Sequence, residues 1–240
     1  MASPHNDKLA LLIDADNAQA SVMHELLAEV ARYGTASVKR AYGDWTTPHL
    51  KGWKEILHKM AIQPMQQFSY TTGKNSTDSS LIIDAMDLLH AGSLNGFCLV
   101  SSDSDFTRLA TRIREAGLVV YGFGEKKTPQ PFVAACDKFI YTEILRPQQP
   151  AAAPEPDEQA PEPLEPMIRT AIAATARDNG WSALAGVGSM LLKNSPSFDP
   201  RNYGCQKLGE LVRKQPYTEV KEVPVGDGST NIHLFVRLKT

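Results

Sequence analysis

Short, unbroken apolar runs alternate with longer stretches in which apolar residues recur every three or four positions. The run "LALLID" (9–14) is continuous and ends in an acid, which marks a strand buried on both faces. Residues 21–34, "SVMHELLAEVARYG", carry helical spacing and stop at Gly34. The chain then reads as a strand at 36–43, a helix at 48–60 opening at Pro48, and a strand at 61–68. Pro64 inside that strand assigns it to a sheet edge. A helix at 78–92, the strand "GFCLVSS" (96–102), a helix at 105–117 and a strand at 118–124 complete the series. Strands and helices alternating at these lengths predict an α/β fold, a sandwich with a mainly parallel sheet. Such sheets bind ligands outside the carboxyl ends of their strands.

The pattern then breaks. Residues 150–166, "PAAAPEPDEQAPEPLEP", hold five acids, six prolines and no base, the composition of an extended, solvated linker. The predicted organisation is a first domain at 1–146, a linker at 147–163 and a second domain at 164–240. Residues 167–240 carry ten Lys/Arg against six Asp/Glu. Helices are predicted at 164–178, 181–196 and 199–215, the last with Leu208, Leu211 and Val212 facing inward. Strands at 217–223 and 231–238 flank a turn at 225–230. Three helices and a β-hairpin make a small winged-helix α+β domain.

Composition narrows the function. A net charge of −2 over 240 residues does not by itself point to nucleic acid. No apolar run reaches the roughly 18 residues of a membrane span. The opening "MASPHNDK" has no signal-peptide core, so a cytoplasmic location is expected. Cys98, Cys136 and Cys205 are few and far apart, and the six histidines are scattered. That excludes a disulfide framework and a zinc cluster.

The carboxylates are the informative chemistry. Asp14 and Asp16 close the first strand, Asp44 follows the second, and Asp103 and Asp105 follow the strand at 96–102. Asp78 opens the helix that leads into that strand, and Asp84 lies about one and a half turns further on. Asn17, Ser102 and Ser104 are capping residue types, and Asp16 and Asp78 can be read the same way. Capping leaves a surplus of acids on one sheet rim. Two carboxylates ~4 Å apart repel by about 4 kcal/mol at an effective dielectric of 20. A cluster of them calls for a hard divalent cation, Mg²⁺ or Mn²⁺. An Asp-x-Asp after a first strand also marks aspartyl phosphotransferases, but Ala18 stands where those need Thr or Val.

Three ordered motifs, "LLIDADNAQ", "KNSTDSSLIIDAMDLL" and "LVSSDSDFTRLATRIREAGLVVYGFG", closely resemble the NYN branch of PIN-like ribonucleases over residues 8–145. The resemblance implies a Rossmann-like α/β/α sandwich and a metal-dependent endoribonuclease that leaves 5′-phosphate and 3′-hydroxyl ends. It implies metal-site roles for Asp14, Asp78 and Asp103, with Asp44 at a more variable acidic position. Asp105 joins Asp14, Asp78 and Asp103 in the catalytic set, and Asn17, Ser102 and Asp84 support it. The run Lys74-Asn75-Ser76-Thr77-Asp78 lacks the glycine usual before the family's acid. Lys39, Arg40, Lys74 and Arg108 are candidate phosphate contacts, and Trp45 could stack an unpaired base.

The stretch "SPSFDPRNYGCQKLGELV" (195–212) resembles the LOTUS, or OST-HTH, domain. Single-stranded RNA is the expected partner, with Lys207, Arg213 and Lys214 as candidate contacts. A winged helix also serves protein partners, so two readings stand at this stage. One is a ribonuclease with an RNA-binding appendage. The other is a non-catalytic RNA-binding adaptor whose C-terminal domain recruits a protein.

Overall fold

Lys8–Asp14 (β1) has every residue after Lys8 buried, because the strand is covered on both faces. Its side chains divide by the two-residue period of a strand. Leu9, Leu11 and Ile13 enter one apolar cluster, and Ala10 and Leu12 enter a second on the opposite face. The structure, a computed structural model, describes residues 7–68, 76–146, 163–224 and 232–239. Lys74 and the turn at 225–230 fall outside the described residues, as does nearly all of the acidic 147–163 segment. The chain divides into two compact units, Met1–Ala152 and Ala153–Thr240.

In the first unit, β1 is joined by Thr35–Gly43 (β2), Gln63–Gln66 (β3), Gly96–Val100 (β4), Val119–Gly124 (β5) and Lys138–Tyr141 (β6). All the pairings are parallel, in the order β3-β2-β1-β4-β5-β6. Met23–Val30 (α1) and Trp53–Lys59 (α2) cover one face, through Met23, Leu26, Trp53 and Leu57. Ser76–His90 (α3), Thr107–Glu115 (α4) and Gln130–Ala135 (α5) cover the other, through Leu81, Leu109, Ile113 and Phe132. This is the three-layer α/β sandwich expected. Each fully buried leucine or isoleucine of β1 contributes about 1.5–3 kcal/mol.

The order has a functional consequence. Strand succession reverses between β1 and β4, so the helices leaving these two strands part to opposite faces and leave a crevice. The register sets Ile13 beside Val100, which brings Asp14 level with Ser101 and the turn beyond it.

Some elements differ from the sequence reading. β3 is only four residues long and lies at the sheet edge, where the missing N–H of Pro64 costs least. The helices expected at 21–34 and 48–60 open as 3₁₀ turns, Ala20–Val22 and Pro48–Gly52. α5 and β6, at six and four residues, are too short to show a period in the sequence.

The second unit holds Leu164–Thr175 (α6), Ser182–Ala183 (β7), Leu184–Asn194 (α7), Leu208–Arg213 (α8), Thr218–Pro224 (β8) and Ile232–Leu238 (β9). The three strands form an antiparallel sheet in the order β7-β9-β8. Ile168, Ile172, Val187, Leu191, Leu211, Val212 and Val236 make its core. The helix expected over 199–215 is two pieces. Asp199 caps a 3₁₀ turn at Pro200–Tyr203, Gly204 ends it at φ +70°, and α8 starts four residues later.

Candidate metal centre

The end of β1 delivers Asp14 into the crevice with its side chain almost fully buried. Its Oδ2 accepts from Asn17 Nδ2 at 2.8 Å and from Ser101 Oγ at 2.7 Å, and Oδ1 accepts from the Asn17 backbone N–H at 3.3 Å. Burial raises the Asp14 pKa; the Ser101 and Asn17 hydrogen bonds oppose the rise, and repulsion from Asp16 adds to it. Three hydrogen bonds use three of about four lone-pair sites, so Asp14 keeps one acceptor position.

Ser101 links the two strand ends. While donating to Asp14 it accepts the backbone N–H of Asp103 at 3.0 Å, which fixes the turn where Asp103 stands. Asp103 in turn caps the 3₁₀ turn Ser104–Phe106, its Oδ1 accepting the Asp105 N–H at 2.9 Å. Close packing permits this turn. A Cβ on Gly124 of the neighbouring β5 would lie 2.5 Å from the Ser101 carbonyl oxygen. Ser102 faces elsewhere and accepts the Glu125 N–H at 2.9 Å, joining the β4 and β5 ends.

Asp78 stands in the first turn of α3, which packs on the same face of the sheet as α4. Asp78, Asp103 and Asp105 each offer a carboxylate oxygen, and these three atoms lie within 4.8 Å of one another. Burial raises the Asp78 pKa to about 6, reinforced by the charges of Asp14, Asp103, Asp105 and Asp16. Four carboxylates thus oppose the ionisation of a fifth. Asp16, which can be read as a plain cap, belongs to this neighbourhood: its Oδ2 accepts from Thr77 Oγ1 at 3.0 Å, and its Oδ1 lies 3.1 Å from His49 Nε2. The Asp-x-Asp spacing was the available sign.

Asp44 and Asp84 are not brought into the three-carboxylate group. β2 lies on the far side of β1 from β4, and the Asp44 carboxylate is used by its own turn and by β3, accepting from Thr46 Oγ1 at 2.6 Å and Gln66 Nε2 at 2.9 Å. Both oxygens of Asp84 are engaged by β2, one by the Arg40 guanidinium and the other by the Tyr42 hydroxyl. Burial and the Asp84 charge hold the Tyr42 phenol above its ordinary pKa. Arg40 is therefore an internal brace between α3 and β2.

Other expected contacts also have structural uses. Lys39 Nζ donates to the Met60 carbonyl at 2.5 Å, closing the C-terminal end of α2. Trp45 Nε1 donates to the Met65 carbonyl at 3.0 Å, with the ring edge-on to Trp53. Arg108 is exposed on the first turn of α4. In the second unit, Arg213 pairs with Glu222, Lys214 with Glu210 at 2.9 Å, and Lys207 is the exposed N-cap residue of α8.

Two family models match the chain, one within each unit. The family model for the NYN domain matches residues 8–145, and that for the OST-HTH/LOTUS domain matches residues 159–230. A crystal structure of a protein of unknown function from Vibrio parahaemolyticus is similar at 21% identity, covering 58% of this chain and 94% of that one, with a TM-score of 0.48. Two solution structures match at lower coverage. One is an uncharacterized protein from Nitrosomonas europaea, at 34% identity over 39% of this chain and 92% of that one, TM-score 0.29. The other is from Chromobacterium violaceum, at 42% identity over 33% and 84%, TM-score 0.27. No curated protein matches. Among the described residues, no helix is long and apolar enough to cross a membrane.

Proposed function

Since this chain belongs to the NYN family, on a match that spans more than half its length, we propose that it is a divalent-metal-dependent endoribonuclease. The NYN and OST-HTH/LOTUS matches together support a role on RNA. The observation that carries the nuclease reading is the meeting of Asp78, Asp103 and Asp105 at one point. Three carboxylate oxygens so close, one of them on Asp78, a partly buried acid raised to about 6, form a hard, anionic donor set that suits Mg²⁺ or Mn²⁺.

Asp78 and Asp103 would hold the ion. When bound, it would neutralise charge on the phosphate oxygens and lower the pKa of water at the site. Asp105, the most exposed of the three, orients the attacking water and accepts its proton at a carboxylate oxygen. Asp14 and Asn17 act from behind: through Ser101 they fix the turn that carries Asp103, and the Asp14 charge adds to the field that attracts a cation. Arg108, exposed beside the turn, meets the substrate phosphate.

A labelled single-stranded RNA incubated with Mn²⁺, Mg²⁺ or EDTA tests the proposal, beside an Asp14→Asn/Asp103→Asn double variant. Cleavage is expected with either ion in the wild type, and none with EDTA or the variant. Intact RNA in every lane, with binding retained, would instead establish the non-catalytic adaptor.

A further inference from the structure

The antiparallel sheet of the second unit has two chemically different faces. Val220, Val236 and Leu238 face the helices and join the core. The alternate positions of β8 and β9 therefore face outward. The register pairs Lys221 with Phe235 and Glu219 with Arg237 on that outer face.

Trp181, just before β7, completes the group. Its backbone is tied down: the Arg177 N–H donates to the Trp181 carbonyl at 3.1 Å, and the Trp181 N–H donates to Asn179 Oδ1 at 3.1 Å. Lys221 Nζ lies 4.2 Å from the Trp181 ring centroid and 5.6 Å from that of Phe235. The Arg237 guanidinium lies 4.6 Å from Trp181, and that of Arg177 lies 5.9 Å from Phe235. Both rings are partly exposed. Glu219 is the acid that the register sets on this face, and Arg237 binds it at 2.7 Å.

We infer that this outer sheet face, centred on Trp181 and Phe235, is the surface on which the second unit stacks unpaired RNA bases. The inference rests on the RNA-directed reading above and assigns it a surface. Flat rings interleaved with cations match the two recurrent parts of a single strand, its base faces and its phosphates. The existing cation–ring contacts do not bar a base. An exposed contact of that kind is worth about two- to fivefold in equilibrium constant, whereas a base stacked on an aromatic ring is worth about five- to 150-fold. A base can displace the Lys221 ammonium from the indole, and the freed ammonium is then beside the adjoining phosphate. The helical cations are poorer candidates, because Arg213 and Lys214 are paired with Glu222 and Glu210 and, among the described residues, the cation–ring contacts of this unit fall to other residues.

The test uses the full chain in EDTA with a fluorescein-labelled, mixed-sequence, single-stranded RNA 12-mer, read by anisotropy. Trp181→Ala is expected to weaken binding tenfold or more, and Lys221→Gln threefold or more. Trp181→Phe should restore most of the affinity, and Arg213→Gln/Lys214→Gln should stay within threefold of wild type. RNA should also quench a tryptophan emission component that Trp181→Phe lacks. Far-UV circular dichroism checks that the variants are folded. Wild-type affinity in Trp181→Ala, or no binding by the unmodified chain at low salt, overturns the inference. A parallel Mn²⁺ assay separates the two readings. Cleavage by the wild type with unchanged binding in Trp181→Ala sinks the platform alone; no cleavage by the wild type, with weakened binding in Trp181→Ala, sinks the nuclease alone.

Discussion

Ser101 donates its hydroxyl hydrogen to Asp14 at 2.7 Å across 87 residues of sequence, and the same oxygen accepts the N–H of Asp103. One hydroxyl therefore sets the distance between the two strand ends that border the crevice. Ser101→Ala would leave the buried Asp14 carboxylate with Asn17 as its remaining described donor. Hydrogen bonds to charged groups contribute about 1.5–3 kcal/mol, so a loss of about 2 kcal/mol in denaturant stability is expected, with at least a tenfold loss of single-turnover cleavage. Ser102→Ala, which removes only the bond to the Glu125 N–H, should cost about 1 kcal/mol and little activity. Equal effects from the two serines would refute the assignment.

Asp78 makes the stability of the ion-free protein depend on pH in a predictable direction, falling as pH rises. Its carboxyl is raised from 3.8 to about 6 in the folded chain, so the native state holds that proton more tightly than the unfolded state does. Its contribution to stability is complete below about pH 3.8, is lost as pH rises through 6, and stays lost above. Urea denaturation of wild type minus Asp78→Asn, run in EDTA from pH 4 to 8, should show this fall. A difference that grows with pH would have the wrong sign.

Added Mn²⁺ should reverse the trend. Ion binding needs ionised ligands and so strengthens above pH 6, and it stabilises the fold by about 2.7 kcal/mol at a hundred times Kd. Melting temperature with and without millimolar Mn²⁺ measures this directly. Asp103→Asn should raise the ion-free melting temperature, by relieving crowding around Asp78, while abolishing the Mn²⁺ response. A large drop in ion-free stability would return Asp103 to a purely capping role.

Asp84 and Asp78 share one helix and should separate cleanly in experiment. Asp84→Ala strands the Arg40 guanidinium and the Tyr42 hydroxyl. It is expected to cost about 2–3 kcal/mol with the Mn²⁺ affinity unchanged, as loss of hydrogen bonds to a partly buried charge requires. Calorimetric titration of that variant checks it; a weakened ion affinity would place Asp84 in the centre after all.

The strands were readable because β1 and β4 are buried on both faces and so appear as unbroken apolar runs. Their terminal acids were readable for the same reason, since a charge ending such a run stands out. What could not be read was which way each short side chain turns. Ser101 and Ser102 are chemically identical neighbours, and only the two-residue period at the last rung of β4 sends one to Asp14 and the other to the β5 end. Asp84 carries the same carboxylate as Asp78, but its use depends on Arg40, 44 residues away on a strand whose register is set by the assembled sheet. The Trp181–Phe235 face was hidden likewise, because its parts come from a loop and two strands.

The placement of β1 beside β4 also makes the centre a late product of synthesis. A chain emerging from the ribosome can pair β1 with β2 early, since those strands are close in sequence, but the β1–β4 pairing closes a long loop and must wait for residues past Asp103. Until then Asp14 has no Ser101 to hold it, and Asp78 and Asp103 have not met. A chain that has not yet presented β4 carries no assembled acidic centre. The topology itself delays any chemistry of that centre until β4 has paired with β1.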